Sequence, residues 1–233
     1  MLYTGNCESK INKLVILVDK PIGFSSFQIV RALKPRFRKI GHAGTLDPFA
    51  SGLLIVLTDY DTKQFQNYES CEKEYRGEIV LGIATDTYDI SGRITAQDHL
   101  YHRPTRTRLE STVRDFVGVI DQNPPPFSAL KQGGQKLYAL SRKGITVKPP
   151  KRTVKVSLFS VLAYDYPVIT FRAVVGRGVY IRSLAHDLGA RLEIGATMLS
   201  LRRHRIGDCA VTQAYTLGAL LHHAWEGDCE STG

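Results

Sequence analysis

An isolated carboxylate set among glycines is the feature of this sequence best suited to chemistry. In Lys39–Leu57, KIGHAGTLDPFASGLLIVL, Gly41, Gly44 and Gly52 bracket one acid, Asp47, and one histidine, His42. Glycine permits sharp turns and the close approach of another group. Asp47 followed by Pro48 could cap a helix, with proline at its first position. Gly52 follows within a turn, however, and leaves little helix to cap. A phosphate-cradling loop would need Gly-Lys-Ser/Thr, which is absent, and the GRGVYI run at Gly176 lacks the third glycine of a dinucleotide fingerprint. A carboxylate held in a rigid, glycine-lined loop is better explained as a nucleophile or a base.

The surrounding elements must position that acid. Upstream, KLVILVDKPIGFSS reads as a strand, a turn, and a serine cap at Ser25 or Ser26. Phe27, Val30 and Leu33 then recur at helical spacing until Pro35. Leu53–Leu57 reads as a buried strand, and KEYRGEIVLG as another, closed by the turn-rich DTYDISG. Leu109, Val113 and Phe116 mark an amphipathic helix, and DQNPPPFSALKQGG a long loop of the kind that usually carries function. Val154, Val156 and Leu158 alternate, as do Ile169, Phe171 and Ala173, giving two half-buried strands. VYIRSLAHDLGARL forms a helix with Ile181, Leu184, Ala185 and Leu188 on one face. Without a steady βαβ rhythm, the expectation is an α+β fold with a mixed, largely antiparallel sheet and flanking helices.

Composition narrows the partners. The 233 residues carry 31 Lys+Arg against 22 Asp+Glu, a net charge of +9, which points to a polyanionic ligand. No acid occurs between Asp121 and Asp165, where Lys131, Lys136, Arg142, Lys143, Lys148, Lys151, Arg152 and Lys155 cluster. Arg31, Lys34, Arg36, Arg38 and Lys39 lead into the glycine-rich stretch, and Arg202, Arg203 and Arg205 form a third group. Together they suggest a nucleic-acid surface with salt-dependent binding. No apolar run is long enough to span a bilayer, and no export or transit signal is visible. Cys7, Cys71, Cys209 and Cys229 stand far apart, without metal-ligand spacing, and read as reduced thiols of a cytoplasmic protein.

The Gly41–Gly52 stretch closely resembles the catalytic motif of the TruB family of tRNA pseudouridine synthases, departing at Ala43 and Phe49. LVDKPIGFSS, KEYRGEIVLGIATDTYDISG, PPPFSALKQGGQKLYALSRKGI, GRGVYIRSLAHDLG and LSLRRHRIG resemble further blocks of that family, in its order, over roughly Lys13–Thr212. The resemblance implies a pseudouridine synthase fold with a central active-site cleft. It implies isomerisation of uridine-55 in the T loop of tRNA, without cofactor or metal, on a target base swung out of its stack. By the same resemblance Asp47 is the catalytic carboxylate, and Arg182 pairs with it, favouring its charged form. Tyr75 stacks on the target base, Tyr180 and Leu201 wall the pocket, and His42 fills the place the base vacates. Lys63 and Asp89 match retained polar positions without an assigned role.

The expected organisation is a catalytic domain over 11–215, including a basic RNA-gripping insertion around 124–152. A short helix and polar tail over 216–233 would follow, without the C-terminal PUA domain of many relatives. The partner is the T stem-loop of tRNA, with no membrane, no small-molecule cofactor, and a monomeric chain. A non-catalytic RNA-folding module on the same fold is the alternative, and it would need neither Asp47 nor Arg182.

Overall fold

The computed structural model describes residues 15–98, 103–127, 131–132, 135–136 and 150–222, with Tyr60, Lys131, Gln132, Gln135 and Lys136 described by their backbone alone. In chain order the elements are β1 (Val15–Lys20), α1 (Ser26–Leu33), β2 (Ile40–Ala43), β3 (Ser51–Thr58), α2 (Phe65–Ser70), β4 (Lys73–Leu81), β5 (Ile83–Thr85), β6 (Ile94–Gln97) and α3 (Arg106–Arg114). There follow β7 (Gly118–Gln122), β8 (Lys131–Gln132), β9 (Gln135–Lys136), β10 (Arg152–Asp165), β11 (Val168–Val175), α4 (Ile181–Leu192), β12 (Ala196–Ile206), β13 (Cys209–Ala210), β14 (Tyr215–Thr216) and α5 (Leu217–His222). The architecture is the expected α+β mixture. No helix of the described residues is long and apolar enough to cross a membrane. Cys71 and Cys209 are free thiols.

The chain groups into two compact units, Met1–Lys73 with Arg202–Gly233, and Glu74–Leu201. In the first, strands run in the order β14-β1-β3-β12, with β2 and β13 pairing β3 and β12. β1 is antiparallel to β3, which meets β12 in parallel. Leu54 and Val56 of β3 pack with Ile16, Val18, Ile29, Leu33 and Leu220. Leu53, Ile55 and Leu57, on the other face, pack with Leu17, Ala43 and Ile206. Cover on both faces explains why β3 reads as an unbroken apolar run rather than an alternation. α1 begins as expected: Gln28 N–H donates to Ser25 Oγ at 3.2 Å, while Ser25 N–H donates to Gln28 Oε1 at 2.8 Å, a reciprocal cap. Phe27 departs from expectation. It faces solvent, and the buried face of α1 is Ser26, Ile29, Val30 and Leu33.

In the second unit the strand order is β12-β4-β11-β10-β7. Phe159 sits edge-to-face with Phe116 and Phe171, at 6.0 and 5.7 Å between ring centres, and forms the middle of the core. The alternation expected through Leu158 fails there. A bulge between Val156 and Leu158 shifts the register, so Phe159 rather than Leu158 turns inward. The long loop starts later than expected, because Asp121 and Gln122 belong to β7. Most of the basic stretch 124–152, the tail beyond His222, Cys7 and Cys229 lie outside the described residues.

Candidate active site

In the first unit, Asp47 lies at a turn between β2 and β3, closed by Ala50 N–H donating to the Asp47 carbonyl at 3.1 Å. It caps no helix. Neighbouring groups hold that turn at successive carbonyls. Gly23 N–H donates to Pro48 O at 2.8 Å. Ser26 Oγ accepts from Leu46 N–H at 2.8 Å and donates to Leu46 O at 3.1 Å. Arg203 Nη2 donates to Gly44 O at 2.9 Å, and its Nε to Leu53 O at 2.7 Å.

Two glycines make this arrangement possible. Gly44 adopts a φ of +87°, in the left-handed region where glycine carries no steric cost. A Cβ on Gly52, at φ +103°, would stand 2.3 Å from the Arg203 carbonyl oxygen. Only glycine lets β12 come close enough for the Arg203 side chain to reach the loop.

Lys20 and Arg203, with no or almost no exposed surface, are the most deeply buried cations among the described residues of this unit, and Lys73 is buried as well. Lys20 Nζ donates to Phe24 O at 2.7 Å and Pro21 O at 2.9 Å, tying down the turn before α1. Burial lowers the Lys20 pKa to about 8; Arg203 adds to the fall, while the negative charge of Asp47 opposes it. His42 on β2 pairs opposite Val56. Burial, and then the charge of Arg203, lower its pKa, which favours the neutral imidazole. Its Nδ1 is buried without a hydrogen-bond partner among the described residues.

The second unit holds Tyr75, Tyr180, Arg182 and Leu201. Tyr75 on β4 and Leu201 on β12 are buried. These strands are neighbours, so close at Gly77 that a Cβ there would meet Ser200 O at 2.2 Å. Tyr180 precedes the first turn of α4. The buried Gln122 amide brackets its backbone, accepting from Tyr180 N–H at 2.8 Å and donating to Tyr180 O at 3.0 Å. Ser183 Oγ adds a 2.7 Å bond to Asn123 O.

Arg182, buried, forms an ion pair with Asp89 at 3.2 Å and donates to Thr87 O at 2.9 Å and Phe127 O at 3.0 Å. Asp89 is held by Thr87 Oγ1 at 2.9 Å, by Ser91 N–H at 2.9 Å, and by the Ser91 hydroxyl. Between Thr87 and Asp89, Tyr88 takes a φ of +66°, unfavourable for a bulky residue. Its ring stacks on His186 at 3.7 Å, one helical turn beyond Arg182.

Sequence reasoning overlooked Lys20 and gave Asp89 no role. It also read Arg203 as part of a basic RNA-facing cluster, and the structure corrects that reading. Arg203 is buried on carbonyls, Arg202 makes a two-pronged pair with Asp19 at 2.8 and 3.0 Å, and Arg205 donates to Gly207 O at 3.0 Å. A charged group in an apolar strand, such as Lys20 closing VILVDK, was the available signal.

Residues 31–181 match the model of the TruB family pseudouridylate synthase (N terminal domain), and residues 182–232 that of the tRNA pseudouridylate synthase B C-terminal domain. The chain is similar to tRNA pseudouridine synthase B of Protochlamydia amoebophila, at 43% identity over 83% of this chain and 74% of that protein. Its counterpart in Flavobacterium johnsoniae is 39% identical over 89% of this chain and 94% of the relative. A chain in the crystal structure of a Cbf5-Nop10-Gar1 complex superposes with a TM-score of 0.69 at 31% identity. That match covers 89% of the present chain, which spans about half (53%) of the solved one.

Proposed function

Since this chain belongs to the TruB family of pseudouridylate synthases, we propose that it isomerises uridine-55 in the T loop of tRNA to pseudouridine, with Asp47 as the catalytic carboxylate. The activity is that of a tRNA pseudouridine synthase, an isomerase. The bond from the ribose to N1 of uracil breaks, the base turns, and a bond from the ribose to C5 forms. N1 gains a proton and the C5 hydrogen leaves to solvent, so substrate and product have the same composition.

The observation that carries this reading is the pinned turn at Asp47. Contacts to Gly44, Leu46 and Pro48 fix the backbone on both sides of the acid. A carboxylate fixed before substrate arrives can act on the ribose or the base without reorganising. In this reading Arg182 pairs with Asp47 and favours its charged form. Tyr75 stacks on the extruded uracil, Tyr180 and Leu201 keep water from it, and the neutral His42 ring occupies the space it leaves. The protein acts as a monomer in the cytoplasm, gripping the T stem-loop partly through the basic stretch 124–152.

The test is release of tritium from tRNA labelled at uridine C5. Wild-type protein releases it, while Asp47→Asn loses at least about a thousandfold in rate and still binds the RNA. Equal release by the variant removes Asp47 from the mechanism. Tight binding by wild type with no release favours a non-catalytic RNA-folding module.

A further inference from the structure

The segment that clamps the Asp47 turn carries one of the basic clusters expected to face nucleic acid, and beside those cations it presents apolar side chains to which no role above is given. Ile22 and Phe27 are 67% and 68% exposed, and Phe24 40%, although all three are large and apolar. Single exposed apolar residues are ordinary, but three within six positions beside a candidate site form a patch. Phe27 was expected to face the core from its helical spacing. A position that breaks the local rule without a packing reason marks function more often than error.

The segment that carries the patch has charge of one sign, and one acid from elsewhere, Asp59, meets it by accepting from Lys39 N–H at 3.0 Å. From Lys20 through Leu46 the sequence holds no acid, but six cations: Lys20, Arg31, Lys34, Arg36, Arg38 and Lys39. On α1 and its C-terminal cap, Phe27, Arg31 and Lys34 fall at i, i+4 and i+7, a single exposed stripe on the side away from the buried Ile29 and Leu33. Arg31, Arg38 and Lys39 are exposed and make no ion pair with an acid among the described residues. Lys34 Nζ donates to Arg38 O at 2.7 Å, which holds the chain leaving α1 against the helix and keeps the cations together. The same segment reaches the catalytic turn directly, through Ser26 to Leu46 and Gly23 to Pro48.

We propose that the stripe Phe27–Arg31–Lys34, with Phe24 and Arg38 beside it, is a contact face for an unpaired RNA strand flanking the target nucleotide. Phe27 offers a ring on which one base stacks, while Arg31, Lys34 and Arg38 meet successive phosphates. A groove that alternates an aromatic with cations is the usual chemistry of single-stranded nucleic-acid binding. A protein partner fits less well, since a purely cationic rim would require an acidic surface and would gain nothing from proximity to Asp47. The inference rests on the reading of the chain as an RNA isomerase.

The experiment measures equilibrium binding and tritium release with full tRNA and with a T-loop hairpin. It compares wild type, Phe27→Ala, Phe27→Tyr, and the double variant Arg31→Gln/Lys34→Gln. Phe27→Ala weakens binding and raises KM about tenfold, and Phe27→Tyr, which keeps an aromatic face, restores both to within about twofold. The double variant lowers the slope of log affinity against log salt by about 1.4, the contribution of two phosphate contacts to a single strand. These side chains are exposed and the double variant gives up only the surface bond from Lys34 to Arg38 O, so melting temperatures stay within about 2 °C of wild type and separate a binding defect from a folding one. Unchanged affinity in Phe27→Ala, or an unchanged salt slope in the double variant, overturns the proposal. Absence of release by wild type defeats the isomerase reading alone, because the binding arms are read without turnover.

Discussion

The surroundings of Asp47 and of Arg182 hold a charged group still by opposite means. Around Asp47 the fixing groups are cations aimed at backbone carbonyls, Arg203 at Gly44 and Leu53, and Lys20 at Pro21 and Phe24. Carbonyl dipoles compensate those cations only in part, and the charges of Lys20 and Asp47 act on each other. Around Arg182 the fixing group is itself a carboxylate, Asp89, on a loop with one left-handed tyrosine. There the buried charge is neutralised locally. The first arrangement leaves the charge of Lys20 to act on Asp47; the second gives its buried cation a carboxylate partner within the same unit.

The sharpest way to break this contrast is to remove one holder from each region. Asp89→Ala strands a buried guanidinium without its counter-charge, a loss of about 3–5 kcal/mol in stability. Arg203→Met strands carbonyls rather than a charge, and costs about 2 kcal/mol, because unpaired buried acceptors are less costly than an unpaired buried ion. Urea unfolding of both variants gives the order directly. A larger loss from Arg203→Met would show that the two regions do not differ in this way.

A second consequence concerns pH. Lys20 titrates near 8 in the folded chain against an ordinary value near 10.5, mainly because it is buried. Between those values the unfolded chain binds a proton that the folded chain has lost, so rising pH favours folding. The contribution is fully present above the higher value and lost as pH falls through the lower one. The melting temperature of wild type relative to Lys20→Met is therefore flat below about pH 8 and rises from there to about pH 10.5, by up to about 3 kcal/mol in equivalent stability. A difference that stays constant across that window would remove the buried ammonium from the description of the Asp47 region.

How far each region could be read from sequence follows from the range of its interactions. β3 was legible because five consecutive apolar residues require cover on both faces, and α1 because Ser25 and Gln28 write its cap locally. Asp47 stood out through its own glycines. Arg203 did not, since its bond to Leu53 joins positions 150 apart, and no local pattern separates a buried arginine from solvated neighbours such as those expected at Arg202 and Arg205. The bulge before Phe159 carries no glycine or proline to announce it, so alternation was extended through Leu158. The face shown by Phe27 was not legible because helical spacing gives a stripe without saying where the core lies. Tyr88, left-handed and stacked on His186, belongs to the same class: only the assembled loop holds it there.

The smallest effect tests whether the Arg182 region keeps its charges balanced beyond the Asp89 pair. Asp187 follows His186 on α4, and burial raises its pKa to about 6, with Arg191 pulling it back only in part. The other groups facing it are Tyr88, whose own pKa is raised by burial and by the charge of Asp187, and His186, whose pKa burial lowers. Arg191 is engaged elsewhere as well, with its guanidinium 4.0 Å over the ring of Phe116. For an acid shifted upward, stability is fully present below the ordinary value near 3.8 and is lost as pH rises through about 6. At pH 7 the ionised Asp187 is then a net cost, and Asp187→Asn stabilises the protein by about 1 kcal/mol after allowance for partial solvent screening. That gain corresponds to a rise of about 2–4 °C in melting temperature for a chain of this size. At pH 4 the aspartic acid is largely protonated in the folded state, and the two proteins melt together. A gain that persists undiminished at pH 4 would assign the effect to packing of the amide, and would leave the contrast with the surroundings of Asp47 resting on the Asp89–Arg182 pair.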